Sequence, residues 1–127
     1  MKELYVVNCC RTAIGSFGGA LKNTPAVDLG AIVIKEALNR AGVKPEQVDE
    51  VMFGCILTAA QGQNVARQAS IKAGIPYSVP AYTVGMVCGS GMKSMILLNV
   101  SSLMEYFVQS PSLLASTTPA SMRIFMW

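Results

Sequence analysis

The stretch AYTVGMVCGSGMKS, residues 81–94, contains the change from a strand pattern to a turn and a helix that decides the fold. Its first seven residues, Ala81 to Val87, are mostly apolar or β-branched and predict a strand. The small residues Gly-Ser-Gly that follow predict a turn, and a helix is expected after that turn. Cys88 lies at the junction, so its thiol is predicted at the carboxyl end of a strand and beside a helix N-terminus.

Cys88 is the candidate nucleophile of this chain. Small residues after it let a substrate carbonyl approach, and a helix start favours the thiolate over the thiol. Backbone N–H groups of such a turn form a nest that can stabilise an oxyanion. A lone cysteine is more often a small apolar filler of the core. We assign that role to Cys9, Cys10 and Cys55, because neither a Gly-rich turn nor a helix start follows any of them.

The rest of the chain is predicted to alternate strands and helices. Thr24 and Pro25 predict an N-cap and a first helical position, followed by a helix over residues 26–41. The apolar centre of this helix, Ala31 to Ile34, predicts that it is covered on more than one side. Buried strands are predicted over residues 4–9 and 50–55, and a second helix over residues 64–73. This order indicates an α/β fold with a parallel or mixed sheet and a βαβαβα connection, whose ligands bind beyond the carboxyl ends of the strands.

Composition narrows the class of protein. Charged residues make up 13% of the 127 residues, against roughly 25% in a typical soluble domain, so we expect part of the surface to be covered by a partner segment. The net charge of +3 is not clustered, which argues against nucleic-acid binding. No apolar run reaches the ~18 residues that span a membrane, and the N-terminus lacks a signal-peptide layout. We therefore predict a cytoplasmic protein with four reduced cysteines and no metal site.

Four segments together resemble one family. VCGSGMK at 87–93 resembles the N-terminal active-site motif of thiolases, most closely the biosynthetic acetyl-CoA acetyltransferases. RTAIGSFGG at 11–19, AGVKPEQVDEV at 41–51 and GQNVARQA at 62–69 resemble that family in the same order. The resemblance covers residues 1–98 and implies an incomplete N-terminal half-domain of the layered thiolase fold.

The resemblance also implies a reaction. Cys88 would take an acetyl group from acetyl-CoA as a thioester, and the α-carbon of a second acetyl-CoA would attack it to give acetoacetyl-CoA; thiolysis is the reverse. Coenzyme A thioesters would be the substrates, with no tightly bound cofactor. The intact family member would be a homo-oligomer, with neither a nucleic acid nor a membrane as its partner.

The sequence departs from the family in ways that bear on activity. The resemblance implies a second cysteine in a Cys-x-Gly motif, a histidine in a Gly-His-Pro motif and an asparagine-containing motif, and none of these is in the chain. The chain contains no histidine at all, so no imidazole of its own can act as a base. Gly85, Cys10 and Ala13 also differ from the family's usual residues. We therefore expect the chain alone to be inactive. A non-catalytic truncated or frameshifted thiolase fragment, and a ketoacyl-synthase-like condensing enzyme, remain as alternatives.

Residues 99–127 form an atypical tail. The resemblance implies an amphipathic helix and then an apolar strand of Val-Val-Ala-Gly type, where this chain has Pro111 to Ala115. Codons for those five residues, read one base out of register, can encode Val-Val-Ala-Gly. We therefore predict that the tail is translated out of frame and has no capped periodic element after the first helical turns. Sequencing the encoding DNA tests this, and the hypothesis fails if no single insertion or deletion restores a thiolase-like continuation.

Overall fold

The computed structural model describes residues 5–108 and 122–126, with side chains described for residues 5–100. Within these residues, three helices and three strands form in the order α1 (Ala26–Ala41), β1 (Val48–Gly54), α2 (Val65–Ala73), β2 (Ala81–Val84), α3 (Ser90–Val108) and β3 (Met122–Met126). A single 3-10 turn, Pro45–Gln47, leads into β1. The predicted helix over 26–41 is confirmed, and so is the alternation of strands and helices that follows it.

The strands form one sheet in the order β2-β1-β3, and both pairs are parallel. Val51 lies opposite Ala81 on one side of β1 and opposite Ile124 on the other. All three helices pack against this sheet: α2 contacts β1 and β2, α3 contacts all three strands, and α1 packs on α2 and reaches β1 through the buried core. The arrangement confirms the predicted α/β class.

The buried first strand predicted over residues 4–9 is wrong for the residues described. Tyr5 to Cys9 adopt no regular secondary structure, and the side chains of Tyr5, Val6 and Val7 are more than half exposed. High β propensity alone does not make a strand, because the run must also pair with a sheet edge, and within the described residues the sheet contains only β2, β1 and β3.

The first helix buries one side. Ile34 is fully buried and lies in a core cluster with side chains of α2 and β1. A Cβ on Gly30 would lie 2.5 Å from the Phe53 ring, so the small residue lets α1 approach β1 closely. Ile32, two positions before Ile34, is 58% exposed. The prediction that α1 is covered on more than one side is therefore wrong within the described part of the chain, because no described element packs on that face.

The helix boundaries follow their capping residues, with one correction. The N-cap of α1 is Pro25 and not Thr24, and no side chain caps this end. The helix ends at Gly42, whose φ of 66° is the left-handed conformation that glycine adopts at low cost. At α2 the Asn64 side chain accepts the Arg67 N–H at 3.1 Å and donates to the Ala81 carbonyl at 2.8 Å. One asparagine thus caps α2 and ties it to β2.

The third helix crosses the predicted domain boundary at residue 98. It runs for 19 residues, from Ser90 to Val108, and β3 forms further along the tail. The tail was expected to have no capped periodic element after the first helical turns; α3 instead continues to Val108, and a strand forms at Met122–Met126. The segment Pro111 to Ala115, on which the out-of-frame hypothesis rests, lies outside the described residues, and that hypothesis stays a prediction. Within residues 5–108 and 122–126, none of the helices combines the length and apolar character needed to cross a membrane.

Candidate active site

Cys88 is exposed and lies in a tight turn between β2 and α3. The strand before it is shorter than the predicted range 81–87, because β2 ends at Val84. Val84 lies opposite Gly54, the last residue of β1, and three residues further on Val87 has a φ of +44°. A β-branched residue in this left-handed region is strained by about 1–3 kcal/mol and cannot continue a strand.

Hydrogen bonds to Ser90 close this turn. The Met86 N–H donates to Ser90 Oγ at 2.9 Å, and the Ser90 hydroxyl donates to the Val87 carbonyl at 2.7 Å. Ser90 itself is 5% exposed. Two backbone bonds run in parallel, from the Gly89 N–H to the Met86 carbonyl at 2.9 Å and from the Ser90 N–H to the Val87 carbonyl at 3.2 Å. These two N–H groups are occupied by the turn, so a donor to an acyl oxygen must come from elsewhere.

The end of β1 forms the floor beneath this turn. A Cβ on Gly54 would lie 2.7 Å from the Gly91 backbone nitrogen and 2.8 Å from the Ser90 carbonyl carbon. Such separations are too short for carbon atoms, so the start of α3 approaches β1 in a way that only glycine permits at this position. The carboxyl ends of β1 and β2 therefore meet at the N-terminus of α3.

A small open cleft of about 170 Å³ lies at this meeting point. It is lined by Gly54, Ile56, Val87, Cys88, Ser90 and Gly91. The walls are apolar or small and the cysteine is the one strong nucleophile among the six residues. Chemically, the cleft can admit an uncharged acyl group to the sulfur of Cys88. It lies beyond the carboxyl ends of the parallel strands, where the sequence predicted a ligand to bind.

The other three cysteines differ in their surroundings. Cys9 is exposed, so the prediction that it fills the core is wrong. Its exposure accompanies the absence of a strand over residues 5–9. Cys10 is partly buried and its thiol donates to the Val33 carbonyl at 3.2 Å. Cys55 is also partly buried, next to Gly54 at the end of β1. Among the described residues no three histidine, cysteine or carboxylate side chains are grouped to hold a metal ion.

Cys10 is expected to be alkylated more slowly than its neighbour Cys9. Burial raises the pKa of the Cys10 thiol, and Glu36 and Cys9 add to the rise against the opposing effect of Arg40. Because only the thiolate reacts, a raised pKa lowers the reactive fraction of Cys10 below that pKa. Peptide mapping after brief iodoacetamide treatment at about pH 8 should show Cys9 modified first, and the difference between the two alkylation rates should narrow at higher pH. Equal rates in the folded protein would contradict the burial of Cys10, and equal rates in urea serve as the control.

Sequence reasoning selected Cys88 as the candidate but missed Gly54 and any structural role for Ser90. The position of Ser90 two residues after Cys88 was visible in the Gly-Ser-Gly turn, but its hydroxyl partners were not. Gly54 gave one weak signal, since a glycine that ends a strand often marks a close approach of another backbone. The left-handed φ of Val87 had no signal, because β-branched residues are disfavoured there.

The fold and the site define a class: an α/β protein with an exposed cysteine at a strand-to-helix turn, facing a small apolar cleft. Comparison with known proteins then identifies the family. The chain belongs to the thiolase family, because the profile described as "Thiolase, N-terminal domain" matches residues 4–103. This result confirms the resemblance inferred from the four sequence segments.

The most similar relatives include acetyl-CoA acetyltransferases from bacteria and mammals. The chain is 60% identical over 97 residues to the acetyl-CoA acetyltransferase of Cupriavidus necator, covering 76% of this chain and 25% of that protein. It is 57% identical over 94 residues to the cytosolic acetyl-CoA acetyltransferase of Rattus norvegicus, covering 74% and 24%. For an acetyl-CoA acetyltransferase of Clostridioides difficile the values are 50% identity over 94 residues, 74% and 88%. The chain thus spans about a quarter of the length of the first two.

Proposed function

We propose that Cys88 accepts the acetyl group of acetyl-CoA as a thioester, as the first half of a thiolase reaction. The observation that carries the proposal is the exposed Cys88 thiol in a cleft with small and apolar walls, within a segment that matches the thiolase family. Relatives named acetyl-CoA acetyltransferase support the choice of acetyl-CoA as the acyl donor. A coenzyme A thioester is then a substrate, and no tightly bound cofactor takes part.

The proposed step exchanges one thioester for another. The Cys88 thiolate attacks the acetyl carbonyl carbon, and a new sulfur–carbon bond forms as the bond to the coenzyme A sulfur breaks. Coenzyme A leaves as a thiolate and takes up one proton from water, which balances the proton that Cys88 lost. The two thioesters are similar in free energy, so the step needs positioning and oxyanion stabilisation more than a driving force.

The second half of the reaction needs groups that these 127 residues lack. Condensation to acetoacetyl-CoA requires removal of an α-proton from a second acetyl-CoA, and the chain has no imidazole for that task. The proposal for this chain is therefore acetyl transfer to Cys88, and complete turnover belongs to the whole enzyme. For that enzyme we propose a cytoplasmic homo-oligomer, in line with the relative from Rattus norvegicus that is named cytosolic.

The second candidate is that the chain is a non-catalytic thiolase fragment. Besides the lack of an imidazole, apolar side chains of α3 are exposed, among them Met92 at 70% and Ile96 at 49%. Exposed apolar surface costs about 25 cal/mol per Å² relative to burial, so it favours association over catalysis. In this reading the Cys88 segment has the family sequence without forming a working site.

The test is intact mass spectrometry of the chain after incubation with acetyl-CoA. We expect one acetyl adduct, released by neutral hydroxylamine because hydroxylamine cleaves a thioester and leaves an amide intact. Cys88→Ala should abolish the adduct. Cys55→Ala is the matched control, since Cys55 lies at the end of the neighbouring strand, and it should retain the adduct.

Two results would refute acetyl transfer to Cys88 and favour the non-catalytic product. One is the absence of a hydroxylamine-sensitive adduct in the folded wild-type chain. The other is equal labelling of the wild-type and Cys88→Ala proteins, which would place the acetyl group on other residues.

A further inference from the structure

We propose that Ser90 is a positioning residue, which holds Val87 in its left-handed conformation and thereby sets the direction of the Cys88 side chain into the cleft. The inference concerns how the turn is held and rests on the proposed acetyl transfer only for its consequence in activity. The structural part stands on hydrogen bonds and backbone geometry alone.

The first step is that the Ser90 hydroxyl contacts both residues that precede Cys88. It accepts from the Met86 N–H at 2.9 Å and donates to the Val87 carbonyl at 2.7 Å. Both sides of the strained residue are thus tied to one side chain. Ser90 is almost fully buried, so water competes poorly for these bonds.

The second step is that the backbone at Val87 needs such support. Val87 has a φ of +44°, while its side chain is 70% exposed and so gains little from packing. A conformation that is unfavourable for valine persists only where its surroundings impose it. The bonds from the Gly89 and Ser90 N–H groups close the turn, and the Ser90 hydroxyl adds the bonds that only a side chain can supply.

The third step connects the turn to Cys88. Cys88 follows Val87 directly, so relaxation of Val87 to an extended backbone rotates the next residue and turns its thiol away from the cleft. Gly54 and Gly91 line the same cleft as Cys88, so a thiol turned out of the cleft would no longer meet an acyl group bound there. The hydroxyl of Ser90 therefore acts on the reaction through the direction of the thiol and touches no reacting atom.

The test compares Ser90→Ala with Ser94→Ala. Ser94 is the matched control because it is a fully buried serine one turn further along α3, whose hydroxyl donates to the Gly91 carbonyl at 2.7 Å, a partner within its own helix. NMR gives a readout independent of activity. A left-handed φ brings the amide and α protons of one residue close together, so Val87 should show a strong intraresidue cross-peak, and the Met86 amide should exchange slowly.

We expect both signals in the wild-type and Ser94→Ala proteins, and the loss of both in Ser90→Ala. Acetyl transfer to Cys88 should fall roughly tenfold or more in Ser90→Ala and stay unchanged in Ser94→Ala, because small displacements of a nucleophile lower rates strongly. Adding Val87→Gly to Ser90→Ala should restore part of the rate, since glycine adopts a left-handed φ without a side-chain bond to hold it.

The outcomes separate the two proposals. If the wild-type chain forms no acetyl adduct, the proposed function fails, while the two NMR signals still decide the role of Ser90. Retention of both signals in Ser90→Ala overturns the positioning role. If Ser90→Ala does not fold, refolding of the Ser90→Ala/Val87→Gly protein supports the role, and failure of both proteins to fold overturns it.

Discussion

Replacement of Ile34 by alanine is expected to lower the free energy of unfolding by about 2–5 kcal/mol. Ile34 is fully buried in the cluster that joins α1 to α2 and β1, and it is among the largest fully buried side chains described. Truncation removes three carbon atoms from this core and leaves a cavity that the neighbouring side chains fill only in part. Domains of this size are stable by only about 5–15 kcal/mol, so the loss is a large fraction of the total.

Ile32→Ala is the matched control, because it makes the same chemical change two positions away on the same helix, where the side chain is 58% exposed. Both variants gain equally from the higher helix propensity of alanine, so their difference isolates burial. Urea unfolding followed by circular dichroism measures it. Ile32→Ala should change the free energy of unfolding by less than about 1 kcal/mol. Equal losses in the two variants would contradict the burial pattern of α1.

The helices were predictable because their signals are local. Pro25 marks the start of α1, and Gly42 and Gly74 end α1 and α2 in the left-handed conformation, with φ values of 66° and 96°. Each of these residues acts within one or two turns of its own position, and so the ranges could be read from sequence to within one residue. For α1 and α2 only the identity of the α1 cap was wrong, whereas the extension of α3 to Val108 was not predicted.

The strands were less predictable because pairing joins distant segments. The run over residues 4–9 has the composition of a strand, but none of its described residues forms one. β3 pairs with β1 instead, from a tail for which no capped periodic element was expected. Strand propensity is a property of a segment, whereas occupancy of a sheet edge depends on every other segment that competes for it.

The candidate site, too, has features that are local in sequence and features that depend on distant segments. Cys88 could be selected because a thiol before a Gly-Ser-Gly turn is a local pattern with a chemical meaning. The contacts of Ser90 with Met86 and Val87 needed the geometry of the turn, and the approach of Gly54 to Gly91 needed the packing of β1 against α3. The choice of Cys88 therefore came from a local pattern in the sequence, whereas the contacts around its turn are visible only in the structure.

Gly54→Ala is expected to displace the start of α3 and to impair the proposed acetyl transfer to Cys88. The added methyl group would lie 2.7 Å from the Gly91 nitrogen and 2.8 Å from the Ser90 carbonyl carbon. Both are backbone atoms, which cannot rotate away as a side chain does, so β1 and α3 must separate. Overpacking of this kind costs about 1–3 kcal/mol of stability. The same movement changes the cleft, because Gly54, Ser90 and Gly91 line it.

Gly85→Ala is the matched control for this change. A Cβ at Gly85 would meet only the Cys55 carbonyl oxygen, at 3.9 Å, which is an ordinary contact. Either substitution restricts the unfolded chain, an effect of about 0.4–1 kcal/mol in favour of folding, so the clash alone separates the two variants. Urea unfolding should show a loss for Gly54→Ala and none for Gly85→Ala, and the slow exchange of the Met86 amide should disappear only in Gly54→Ala. If Gly54→Ala matches Gly85→Ala in both measurements, β1 and α3 do not approach as described, and the floor of the cleft must be formed by other residues.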